Sequence, residues 1–69
     1  MSFYYVNDKV DEKGQHEVHE EGCSKMPNEM YRTFLGDFGN EIEAVESSIR
    51  NCYFNSDGCY FCCREANRD

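Results

Sequence analysis

A chain of 69 residues with 14 acidic and 7 basic side chains carries a formal net charge of −7. Such a surface repels phosphate backbones, and no Lys/Arg stripe offsets it, so nucleic-acid binding through a basic face is disfavoured. No run approaches the roughly 18 apolar residues of a membrane span, and one domain this short buries only about 60% of its unfolded surface, so its hydrophobic core alone is marginal.

The core must draw on five Phe, five Tyr, three Met and five Cys, because tryptophan is absent and aliphatic residues are few. Small domains of this kind need a staple, either disulfides or a metal. Five cysteines is an odd number for a disulfide framework. Residues 1–8 lack the basic and long apolar regions of a signal peptide, so the expected compartment is the cytoplasm. In that reducing setting, clustered cysteines act as metal ligands or reactive thiols.

In chain order, residues 2–7 are aromatic and β-branched and read as a first strand. Asp8 to Gly14 reads as a turn, and residues 15–20 as a second strand that closes a hairpin. Along that strand His16 and Val18 share one face, Glu17 and His19 the other. Residues 24–28 form a loop or a single helical turn. Residues 30–35 form a third strand, which Gly36 closes.

Asn40 to Cys52 is the clearest element. Asn40 caps a helix, Glu43 completes a capping-box-like pair, and the acidic first turn suits the helix dipole. Ile42, Val45, Ile49 and Cys52 recur at helical spacing as an apolar stripe, which also removes Cys52 from the ligand pool. Residues 55–58 read as a turn. The expected fold is therefore α+β: a small three-stranded antiparallel sheet with one main helix packed on it, stapled by a metal site. Residues 1–63 form a single domain, and 64–69 a polar C-terminal tail that is frayed or ends in a short helix.

The staple comes from two short motifs. His19-Glu20-Glu21-Gly22-Cys23 gives a His and a Cys four apart, and Cys59-Tyr60-Phe61-Cys62 is a C-x-x-C. A structural zinc ion takes four such donors at tetrahedral angles. The expected ligands of Zn2+ are His19, Cys23, Cys59 and Cys62. Gly22 lets the backbone turn beside His19, which favours it over His16, read instead as a partly buried histidine beside Val18. C-x-x-C spacing favours Cys62 over Cys63, although either His16 or Cys63 remains an alternative.

These motifs, with Phe34-Leu35 and Glu43-Ala44-Val45 between them, follow an order that resembles the metal-binding domain of the Ada alkylation-repair protein and its small relatives, over about residues 16–63. The resemblance implies a zinc site and the same layout of elements. Ada itself uses four cysteines, one of which accepts a methyl group from damaged DNA. Here His19 stands in place of a thiolate, which lowers the charge and nucleophilicity of the site, and the acidic surface conflicts with DNA docking. Methyl transfer and DNA binding are therefore not carried over.

The function that follows is a zinc-stabilised structural or protein-interaction module, with a protein partner on the exposed sheet face or the acidic helix. A closed set of four ligands leaves no position for substrate, so enzyme activity is not favoured. The alternative is a thiol redox or nucleophilic module using Cys59, Cys62 or Cys63. Neither Lys nor a second well-placed His flanks that cluster, although Arg64 is near. An exposed edge strand allows dimerisation without requiring it.

Overall fold

The computed structural model describes residues 1–67. Strand β1 (Ser2–Asn7) and strand β2 (His16–Glu20) form the expected antiparallel hairpin, with Tyr5 opposite His19 and Val6 opposite Val18. The Asp11 carboxylate organises the connection by accepting from the N–H groups of Lys13 and Gln15, each at 2.9 Å. An Asp that bonds its own downstream backbone is a turn device. The register assigns the faces. Tyr4, Val6 and Val18 are buried in the core, so alternation turns Tyr5 and His19 to the opposite face.

Strand β3 (Arg32–Phe38) pairs antiparallel with β1. It runs past the expected end at residue 35. Gly36 lies inside it, opposite Tyr4, where the register shifts between Tyr4 and Tyr5. A glycine within a strand pattern marks such a bulge as readily as a stop.

The three-strand expectation needs a larger correction. Ser56–Gly58 form a fourth strand, β4, parallel to β2, giving a mixed sheet of order β3-β1-β2-β4. Ser, Asp and Gly have turn composition and little β propensity. The strand exists because β2 supplies its partners: the His16 N–H donates to the Asn55 carbonyl (3.1 Å) and the Cys59 N–H to the Val18 carbonyl (2.9 Å).

Helix α1 spans Glu41–Asn51, and the Asn40 side chain accepts from the Glu43 N–H at 2.9 Å. The Glu43 carboxylate reaches back to the Gly39 N–H at 3.2 Å, a one-residue variant of the capping box. The buried residues are Ala44, Val45, Ser47 and Ser48, with Ile49 part-buried against the core, so Val45 and Ile49 of the expected stripe face inward while its two ends rotate out. Ile42 is 46% exposed, and Cys52, expected in the core, is exposed at the helix end. Serine explains the rotation. Ser48 is fully buried because its hydroxyl lies 2.6 Å from that of Ser56, which donates to the Tyr53 carbonyl at 2.7 Å. A satisfied hydroxyl is cheap to bury, and small side chains let the helix approach the sheet.

Within the expected tail, Arg64–Ala66 form one 3-10 turn, and Ala66 is buried against Gly58. Residues 68–69 of that tail lie outside the described residues. Among the described residues, no helix is long and apolar enough to cross a membrane.

Candidate metal centre

Two backbone turns deliver the candidate ligands. At the end of β2 the Cys23 N–H donates to the Glu20 carbonyl at 3.0 Å. Gly22 sits in that turn with φ +92°, a conformation that favours glycine. Cys23 is thereby folded back beside His19. The second turn follows β4 directly, and the Cys63 N–H closes it on the Cys59 carbonyl at 2.8 Å. Since Cys59 is hydrogen-bonded to Val18, pairing of β4 with β2 sets Cys59 next to His19.

The donor atoms of His19, Cys23, Cys59 and Cys62 all lie within 4.8 Å of one another. Cys23 Sγ and Cys59 Sγ are 4.0 Å apart. Two sulfurs each about 2.3 Å from one tetrahedral ion would be roughly 3.8 Å apart, so this pair needs to close by only a few tenths of an ångström, and the widest-spaced donors by about 1 Å. Each sulfur also receives a backbone N–H: Lys25 to Cys23 (3.4 Å), Phe61 to Cys59 (3.4 Å) and Glu20 to Cys62 (3.2 Å). Donors aimed at sulfur favour the thiolate, the form that binds metal.

His19 is 1% exposed, yet neither Nδ1 nor Nε2 has a hydrogen-bond partner. Leaving a buried polar group unsatisfied costs about 1–3 kcal/mol. A metal ion bound by the ring would satisfy one nitrogen. With no metal, burial holds the His19 pKa down at about 4 and pushes Cys59 up to about 12. Burial also raises Cys23, while a hydrogen bond with Cys63, and burial after it, raise Cys62. The metal-free cluster is therefore neutral near pH 7, and a bound cation would displace the thiol protons. Raised thiol pKa values are the opposite of what an activated cysteine nucleophile needs.

The remaining sequence candidates are placed differently. His16 stacks on Tyr53 at 3.7 Å, and its Nδ1 lies 2.9 Å from the Asn7 carbonyl, so it is a satisfied core histidine. Cys63 is fully buried in the core, 3.6 Å from Cys62 Sγ. The Arg64 guanidinium lies over the Tyr60 ring at 5.4 Å. The sequence places Glu17 on the same strand face as His19. Its Oε1 is 3.7 Å from His19 Nε2, and the available signal is that shared face.

Fold and site together define a small α+β domain with a cluster of one histidine and three cysteines, His19 and Cys59 buried and Cys23 and Cys62 part-buried, that could hold a metal ion. No protein family, curated protein or solved structure matches the chain.

Proposed function

We propose that the chain is a small zinc-stabilised module that presents a surface to a protein partner. The observation that carries the metal is His19, a buried imidazole with both nitrogens unpartnered beside three sulfurs. Three soft thiolates and one imidazole, with donor atoms within 4.8 Å of one another, suit zinc. Four protein donors fill its coordination, so the ion acts as a staple and not as a catalyst. The order of ligand turn, strand, helix and second ligand turn supports the Ada-type layout, without its chemistry. A reducing compartment such as the cytoplasm keeps such thiolates available.

The interaction surface is the β1/β3 half of the sheet face opposite the helix. Phe3 and Phe34 are 44% and 56% exposed, with ring centroids 5.7 Å apart, and Tyr5 lies 5.3 Å from Phe34. Exposed adjacent aromatics are what protein interfaces use as anchors. The chain's acidity favours a protein over a nucleic acid.

Cobalt substitution tests the metal. The expected spectrum has the strong visible d–d bands and sulfur charge-transfer bands of a tetrahedral site with three sulfur donors and one nitrogen, displaced by one equivalent of zinc. Octahedral, weakly coloured cobalt would overturn the site. A photo-crosslinking residue at position 34 tests the surface. A protein adduct from that position, and none from position 46 on the helix, is expected; the reverse pattern would move the interface to the helix.

A further inference from the structure

We infer that Glu17 is the positioning residue of the metal centre: its carboxylate holds the His19 Nε2–H, so that Nδ1 is the nitrogen that binds the ion. This rests on the zinc reading above.

A neutral imidazole has one lone pair for a metal and one N–H that must go elsewhere. In a ring that is 1% exposed, solvent does not take that N–H. Glu17 Oε1 lies 3.7 Å from Nε2, while among the described residues no carboxylate is found at Nδ1. The two residues are two apart on β2 and share its face, so the strand itself sets the approach. Glu17 is one-third exposed, which leaves its carboxylate room to move onto the ring. Closing from 3.7 Å to the roughly 2.8 Å of a charge-assisted hydrogen bond needs a shift of about 1 Å. Metal binding makes the remaining N–H more acidic and strengthens that bond. A carboxylate on the far nitrogen in turn fixes the tautomer and raises the donor strength of the ligating one.

The full chain, labelled with 15N at histidine and loaded with zinc, distinguishes the outcomes. Two-bond 1H–15N correlations are expected to show His19 protonated at Nε2 and metal-bound at Nδ1. Glu17→Ala is expected to weaken zinc binding about 10–100-fold at unchanged stoichiometry. Glu17→Gln keeps an acceptor oxygen and is expected to recover most of that loss. A zinc-loaded chain bound through Nε2, or a Glu17→Ala variant with wild-type affinity, would overturn the assignment and leave the zinc site standing. A wild-type chain that takes up no zinc would overturn both.

Discussion

The backbone N–H of Glu20 donates to Cys62 Sγ at 3.2 Å, a contact between residues 42 apart in sequence. It ties the end of the hairpin to the turn that follows β4. Beside it stand the Cys23–Cys59 sulfur contact and the pairing of a strand of only three residues, so the cluster reinforces an edge of the sheet that pairing alone holds weakly.

The cysteines should therefore divide into two classes. Cys62→Ser removes one of the four proposed donors and is expected to abolish tight zinc binding and lower the thermal midpoint, by about 4–8 °C for each kcal/mol lost. Cys52→Ser, at an exposed position, is expected to stay within about 0.5 kcal/mol of wild type. Calorimetry with zinc present checks both.

The helix face offers a second contrast. Val45 is 4% exposed, and Val45→Asp buries an unpaired charge, so it should unfold the domain by near-UV dichroism. Ile42→Asp, at a position 46% exposed, is expected to leave that signal intact. A sheet-facing stripe of Ile42, Val45, Ile49 and Cys52 would instead make both variants unfold.

Why the stripe misleads is physical. Hydrophobic periodicity weighs side chains by polarity, but Ser48 is buried through a hydroxyl pair with Ser56, a partner visible only in the fold. The same limit hides β4, whose Ser56-Asp57-Gly58 becomes a strand only through β2. Local signals suffice elsewhere. The hairpin follows from two β-rich runs around Asp11 to Gly14, and the helix start from Asn40. Strand alternation and the φ +92° turn at Gly22 separate His19 from His16, and the structure brings His19 together with the three expected cysteines while His16 stacks on Tyr53. Burial separates Cys63 from Cys62 only once the core is in view, because both are adjacent in sequence and alike in chemistry.

Gly58 couples core to site. A Cβ there would lie 2.6 Å from the Cys63 carbonyl oxygen and 2.9 Å from Ala66 Cβ, and the oxygen belongs to backbone that closes the Cys59 turn. Gly58→Ala is expected to cost about 1–3 kcal/mol and to weaken zinc binding as the turn is displaced. Urea denaturation and a chelator competition on one sample read both effects.

The metal-free chain should be most stable between about pH 6.5 and 9. His19 has a folded pKa near 4 against 6.5 in an open chain, so the unfolded state takes up its proton first and stability falls as pH drops through that interval. Cys59 has a folded pKa near 12 against 9, so the unfolded thiol ionises first and stability falls again as pH rises above 9. Denaturant midpoints across pH 4–11, with a chelator present, check the profile. With zinc bound the acid limb should steepen, because protons then compete with the ion for the thiolates.

That one metal ion staples this fold through His19, Cys23, Cys59 and Cys62 is tested most directly by native mass spectrometry of zinc-supplemented protein, followed by chelation under near-UV dichroism. One zinc per chain is predicted, with a lower thermal midpoint of the aromatic signal once the zinc is removed. A chain that takes up no zinc, or whose midpoint is unchanged by the chelator while Cys62 is rapidly alkylated, would contradict it.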